Sequence, residues 1–231
     1  MQFCALSEAK GMIINMIKAA IFDFDGTLIN TNDLIFEGLQ YLATRYRGEK
    51  LPTSVLKALS GKPLFDQLYA IHPEKVDIME AQFQIWYKHN HNTKAKAFPG
   101  VPMLLRHLDS MGIEMGIVTN NSREILTLGL AHLGLDAYFS HQITRNDVVQ
   151  TKPHPEGIMR VLDVMALRPD EVIFVGDTEN DILAASQAGV ISAFVGWSVL
   201  NSSQLQTAPD YVLNDAEDLI HIVRMHNDRV A

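Results

Sequence analysis

The chain has 231 residues, 47% of them apolar, with one cysteine and a formal net charge of −8. That is enough apolar material for one substantial core and a smaller second lobe, while the lone Cys4 excludes an internal disulfide framework and fits a reducing compartment. An acidic balance with no long Lys/Arg run argues against a nucleic-acid partner, and no stretch approaches the roughly 20 apolar residues of a membrane helix, so a cytoplasmic protein with no membrane partner is expected.

From Met12 to Lys18 the apolar residues are interrupted by polar ones and run straight into the next element, which does not suit a cleaved secretory signal. Residues 1–16 show no partner pattern and are expected to form a loosely held extension. The first strong signal follows. Ala19-Ala20-Ile21-Phe22 gives way to Asp23-Phe24-Asp25-Gly26-Thr27, as a buried parallel strand does where it opens into a loop. Residues two apart in an extended chain share a side, so Asp23 and Asp25 are expected to face one pocket, with Phe22 and Phe24 in the core. Two like charges so close require a cation, a proton or a basic neighbour. A calcium loop is excluded, because an EF-hand needs Gly at position 28 and Glu at 34, where this chain has Leu28 and Leu34.

Ile29 to Leu34 reads as a polar turn, with Thr31 and Asp33 as possible helix caps. Helical periodicity follows at Leu34, Ile35, Leu39, Leu42, Ala43 and Tyr46, and again over Thr53–Leu59, Leu64–Ala70 and Val76–His89. With no convincing strand between residues 34 and 97, this stretch reads as an inserted helical domain that exits through the polar run His91–Lys96. His89, Asn90 and His91 read as solvated polar residues.

Beyond Phe98 the pattern alternates. Pro102 suits the first turn of a helix carrying Leu104, Leu105, Leu108 and Met111 and closed by Gly112. Met115–Val118 is a strand that stops at Thr119-Asn120-Asn121-Ser122, Arg123–Leu133 a helix ended by Gly134, and His141–Thr144 a short strand. Lys152-Pro153-His154-Pro155 opens a helix carrying Ile158, Val161, Leu162 and Met165. Glu171–Val175 is the clearest later strand, and it runs into Gly176-Asp177-Thr178-Glu179-Asn180-Asp181. A helix over Ile182–Ala188, a strand over Ile191–Val195, an edge strand over Tyr211–Leu213 and a closing helix from Ala216 to Met225 complete the pattern. Such alternation predicts an α/β fold, a doubly wound parallel sheet with both faces covered, over residues 17–33 and 98–231, with the helical domain at 34–97.

Polar residues fall at successive strand ends: Asp23 and Asp25, Thr119 and Asn120, Asp177 and Asp181, with Lys152 leading a helix between them. Ligands of open parallel sheets bind beyond the carboxyl ends of the strands, so these groups can converge although they are scattered along the chain. Taken singly, Thr119 suits a helix cap, Lys152 a solvated charge and Asp181 a first-turn acid. In this order, Asp23-Phe24-Asp25-Gly26-Thr27, Thr119, Lys152 and Gly176-Asp177-Thr178-Glu179-Asn180-Asp181 resemble the four motifs of the haloacid dehalogenase-like hydrolase superfamily, over nearly the whole chain after residue 17.

The resemblance implies a Rossmann-like core and a Mg2+-dependent phosphatase acting on a small phosphorylated metabolite. It makes Asp23 the nucleophile that forms an aspartyl-phosphate and Asp25 the acid that protonates the leaving oxygen and then deprotonates water. Mg2+ would lie on Asp23, the Asp25 carbonyl and Asp177, with Asp181 ligating directly or through water. Thr119 and Asn120 would bind the phosphoryl group and Lys152 would offset its charge. The inserted helices look like the cap domain of one subclass, in which Lys62, within Gly61-Lys62-Pro63-Leu64-Phe65, is a candidate for substrate selection.

The match is closest to the phosphoglycolate phosphatase and pyrophosphatase branch, as a monomer or homodimer, and leaves phosphoglycolate-like esters, pyrophosphate and sugar phosphates open as substrates. The rivals are a β-phosphoglucomutase-like mutase, a non-enzymatic phosphoacceptor domain and a silent binding protein. Asp25, absent from the dehalogenases of the superfamily, favours phosphate chemistry.

Overall fold

The computed structural model describes residues 15–59, 62 and 64–228. The expected extension over residues 1–16 therefore lies outside the described residues except for Asn15 and Met16. The chain divides into two units, one running up to Ile29 and resuming at Ala97, the other spanning Asn30–Lys96.

In the first unit the strands are β1 (Ala19–Phe22), β4 (Glu114–Val118), β5 (His141–Ile143), β6 (Val172–Gly176), β7 (Ile191–Val195) and β8 (Tyr211–Leu213). The numbers β2 (Ile29–Asn30) and β3 (Lys96–Ala97) belong to a separate two-stranded pair where the chain passes from one unit to the other and back. The six strands form one sheet in the order β5-β4-β1-β6-β7-β8, every neighbouring pair parallel. Helices α5 (Val101–Ser110), α6 (Arg123–Leu133), α7 (Glu156–Met165), α8 (Glu179–Ala188) and α9 (Ala216–Asp228) connect or follow these strands.

Side-chain alternation sorts the core into two layers. Ala19 and Ile21 of β1 and Val172 and Phe174 of β6 pack with Ile158, Val161, Leu162 and Met165 of α7 and with Ala184 and Ala185 of α8. Their alternates Ala20, Phe22, Ile173 and Val175 are equally buried and point to the opposite face. A sheet covered on both sides needs strands that are apolar throughout, and β1, β6 and β7 are buried at every position.

In the second unit the helices are α1 (Asn32–Arg47), α2 (Thr53–Leu59), α3 (Leu64–Tyr69) and α4 (Val76–Lys94). Gly38 of α1 sits where a Cβ would come within 2.7 Å of the Phe83 ring of α4, so the two helices approach more closely than any larger residue allows. Three features here differ from the sequence reading. The run His91–Lys96 is not an exit loop, because α4 continues to Lys94 and Lys96–Ala97 then forms β3. His91 is fully buried with its ring 5.2 Å from that of Tyr87, and Asn90 Nδ2 donates to the Trp86 carbonyl at 2.8 Å, so neither is a solvated terminator. Thr31 occupies the N-cap position of α1 without a capping hydrogen bond from its side chain.

One turn steers the chain from β5 toward Lys152. Asp147 Oδ2 accepts hydrogen bonds from the amide and hydroxyl of Thr144, and from the guanidinium of Arg123 at the start of α6. Partial burial works against its charge, but the Thr144 and Arg123 donors outweigh that and hold the carboxyl below its ordinary value. A depressed folded-state pKa adds stability above the ordinary Asp range, and that stability is lost as pH falls through the folded value. Asp147→Asn should therefore lower the melting temperature at pH 7 by a few degrees, with the gap from wild type shrinking once the pH drops below about 4; a gap unchanged at pH 3 would contradict this.

Candidate active site

The strand order explains why distant residues meet. β1 lies between β4 and β6, so the segments that leave their carboxyl ends, Asp23, Thr119 and Asp177, emerge side by side. The Asp23 amide continues the ladder by donating to the Val175 carbonyl at 2.8 Å, and the Thr119 amide does the same to Ile143 at 3.0 Å. The two turns are tight. Gly26 has φ +81°, and a Cβ there would stand 2.1 Å from Asp177 Oδ2. At Gly176 a Cβ would stand 2.3 Å from the Asp181 Cβ.

Asp23, Asp177 and Asp181 each offer a carboxylate oxygen, all within 4.8 Å of one another, and all three residues are buried. Lys152, also buried, reaches into this group, its Nζ donating to Asp23 Oδ1 and to Asp181 Oδ1 at 2.7 Å each. Asp181 Oδ2 accepts from the Thr178 amide at 2.9 Å, the Thr178 hydroxyl at 2.6 Å and the Asp177 amide at 3.2 Å. Those bonds begin α8 three residues earlier than the apolar pattern suggests, and they engage both oxygens of Asp181 within the protein. Asp177 differs. Its Oδ2 accepts from the Ser198 hydroxyl at 2.7 Å, and its Oδ1 is buried with no hydrogen-bond partner among the described residues.

The electrostatics follow from this crowding. Burial, then the opposing pull of Lys152, then the Asp181 charge set the Asp23 carboxyl, and the balance pushes it up to about 7. Burial with the Asp181 and Asp23 charges also pushes Asp177 well above the carboxylate range, against the Ser198 hydrogen bond and Lys152. For Lys152, burial alone would lower the ammonium, but Asp181 and Asp23 overcome it and hold Lys152 above the usual lysine range. A site in which Asp23 and Asp177 resist ionisation while one buried Asp177 oxygen lacks a partner among the described residues is short of positive charge. The donor set is entirely oxygen, which suits a hard divalent cation.

The other expected site residues have different partners. Asp25 is half-buried and accepts a hydrogen bond from Asn121 Nδ2; it is not one of the three mutually close acids, though its charge acts on Asp23. Asn120, expected to bind phosphate, has its carboxamide on the Lys152 backbone, Nδ2 donating to the carbonyl at 2.9 Å and Oδ1 accepting from the amide at 3.0 Å. Thr119 is buried, and its Oγ1 accepts from the Asn121 amide at 3.1 Å. Lys62 belongs to the helical unit, where its side chain is exposed and its carbonyl accepts from Gln67 Nε2 at 2.7 Å. Sequence reasoning assigned no role to Asn121 or Ser198. Asn121 sits inside a stretch already singled out, whereas Ser198 follows β7 in a loop that carries no pattern of its own.

The model for haloacid dehalogenase-like hydrolases matches residues 20–195, which contain all four motifs. The chain belongs to that family. Among curated relatives, this family member is 36% identical to pyrophosphatase PpaX of Anoxybacillus flavithermus and 35% identical to the protein of that name from Halalkalibacterium halodurans, each alignment covering 90% of this chain and 97% of the relative. Its fold matches a crystal structure of a predicted phosphoglycolate phosphatase from Haemophilus somnus with a TM-score of 0.77 at 23% identity, covering 92% of this chain and 99% of that one. Among the described residues no helix is long and apolar enough to cross a membrane.

Carboxyls raised above their unfolded values bind protons that the unfolded chain has released, so stability falls as pH rises through the interval between the two. For Asp23 that interval runs from 3.8 to about 7. In EDTA at pH 7.5, Asp177→Asn should thus melt above wild type, because it removes a carboxyl whose ionisation the site opposes; added Mg2+ should raise the melting temperature of wild type but not that of the variant. Thermal denaturation with and without Mg2+ checks this; an intact Mg2+ shift in the variant would count against a cation at Asp177.

Proposed function

We propose that this chain is a Mg2+-dependent phosphohydrolase that passes a phosphoryl group from a small phosphorylated metabolite to Asp23 and then to water, with pyrophosphate as its foremost substrate. One observation carries the reading: a lysine and three carboxylates, all buried, converge at the carboxyl end of a parallel sheet, with the lysine bonded to Asp23. Such a cluster contributes nothing to a fold that apolar residues would not supply more cheaply. The choice of pyrophosphate is supported by the pyrophosphatase relatives, which are matched over almost their full length.

Asp23 and Asp177 are the residues that would hold the cation, while Asp181, with both oxygens engaged, orients Lys152 and the Asp177 turn. Bound there, Mg2+ would supply Lewis-acid neutralisation of the phosphoryl oxygens and lower the Asp23 pKa. A carboxylate oxygen of Asp23 attacks phosphorus as the bond to the leaving oxygen breaks, giving an acyl phosphate on Asp23. Asp25, held by Asn121, gives the leaving oxygen its proton; in the second half it takes a proton from the water that attacks phosphorus and frees Asp23. Lys152 offsets the negative charge that would otherwise keep an anionic substrate away from an anionic nucleophile, and Asn120 fixes the backbone from which Lys152 extends. Thr119, whose Oγ1 accepts from the Asn121 amide, would donate its hydroxyl proton to a phosphoryl oxygen.

Asp23→Asn should reduce Mg2+-dependent phosphate release by at least about 10³-fold on every substrate, since an amide is neither nucleophile nor anionic ligand. Asp25→Asn should slow turnover by about 10² to 10⁴ for a sugar phosphate, where it removes both the proton for the alkoxide and the base for water, and less for pyrophosphate, whose stable leaving anion leaves only the water step impaired. A steady-state comparison of pyrophosphate, phosphoglycolate and sugar phosphates, with and without Mg2+, tests both variants together. Near-normal turnover by Asp23→Asn would end the proposal, and a wild-type preference for monoesters would redirect the substrate assignment.

A further inference from the structure

The loop after β7 makes three anchoring hydrogen bonds in three consecutive residues. The Gly196 amide donates to the Leu213 carbonyl of β8 at 2.7 Å. Trp197 Nε1 donates to the Thr27 carbonyl at 3.1 Å, gripping the turn that follows Asp23 and Asp25. Ser198 Oγ donates to Asp177 Oδ2 at 2.7 Å. Gly26, next to Thr27 in that turn, leaves no room for a Cβ against the Asp177 carboxylate. A short loop with no acid or base of its own thus ties together the turn after β1 and the carboxylate after β6.

Its effect on Asp177 is directional. A carboxylate is free to rotate about its Cβ–Cγ bond unless one oxygen is held, and here Ser198 holds Oδ2 while Oδ1 is buried without a partner among the described residues. We propose that Ser198 is a positioning residue for cation binding: its hydroxyl fixes the Asp177 carboxylate so that Oδ1 is presented, already oriented, to the divalent ion, and Trp197 sets the loop that carries it. The role rests on Asp177 being a cation ligand, as proposed above. It follows the general behaviour of groups that hydrogen-bond metal ligands, whose removal weakens metal binding about 10- to 100-fold without touching the ion. Ser198 is half-buried in a connecting loop, so its side chain can be changed without opening the sheet core.

The test is direct metal binding rather than turnover alone. Mg2+ affinity is measured by titration calorimetry on the full chain, with Mn2+ binding followed by electron paramagnetic resonance as a second probe, for wild type, Ser198→Ala, Ser198→Thr and Asp177→Asn. Ser198→Ala should bind both ions at least about tenfold more weakly, Ser198→Thr within about threefold of wild type because it keeps the donor, and all should melt within a few degrees of one another or higher in EDTA. Half-saturating Mg2+ for turnover should rise in Ser198→Ala by the same factor, with kcat largely recovered at saturating Mg2+. Unchanged affinity in Ser198→Ala beside a large loss in Asp177→Asn would overturn the role of Ser198 alone. Unchanged affinity in Asp177→Asn would overturn the cation site on which it rests.

Discussion

Lys152 is the group on which the rest of the site depends. At an effective dielectric constant near 20, two carboxylates within 4.8 Å repel by roughly 3 to 4 kcal/mol, so three of them oppose burial by roughly 10 kcal/mol. Two ammonium contacts at 2.7 Å contribute roughly 6 kcal/mol of attraction each, which offsets the repulsion and leaves the desolvation of the acids uncompensated. That residue of unfavourable energy is what raises the carboxyls of Asp23 and Asp177 above the ordinary carboxylate range. One lysine makes the cluster foldable, and the divalent cation proposed above would supply the second positive charge that full ionisation of the acids calls for.

The sheet supplies the convergence and the glycines supply the clearance. With β1 flanked by β4 and β6, residues far apart in the chain arrive at one rim, and the register of each strand end decides which atom faces inward. Gly26 and Gly176 then let the two acid-bearing turns close on Asp177 and Asp181 to distances that no Cβ would permit. Backbone freedom at these two positions serves side-chain placement elsewhere. Three neutral residues hydrogen-bond residues that carry these charges: Asn120 the backbone of Lys152, Asn121 the carboxylate of Asp25 and Ser198 the carboxylate of Asp177.

Much of this was legible before any coordinates. The apolar runs of β1, β6 and β7 announce strands buried on both faces, Gly134 and Gly189 mark helix ends where left-handed backbone is required, and three polar strand ends with a lysine at the head of a helix imply a shared site. The losses have physical causes. Two-residue strands such as β2 and β3 are too short to carry periodicity, and His91 reads as polar although its ring packs inside α4 against Tyr87. The start of α8 was hidden because Asp181 and Thr178 use polar side chains to begin the helix, ahead of its first apolar residue. The pairing of Asn120 with Lys152 and of Ser198 with Asp177 depends on contacts 32 and 21 residues apart in the chain, which composition and spacing do not encode.

A crystal structure grown at saturating Mg2+ with a phosphate-like anion bound tests the central claim most directly. The account predicts one octahedral ion at about 2.1 Å from carboxylate oxygens of both Asp23 and Asp177, with Lys152 still bonded to Asp23 and Asp181 outside or at the edge of the coordination shell. An ion bound away from Asp177, or none between these two acids at saturation, would contradict it.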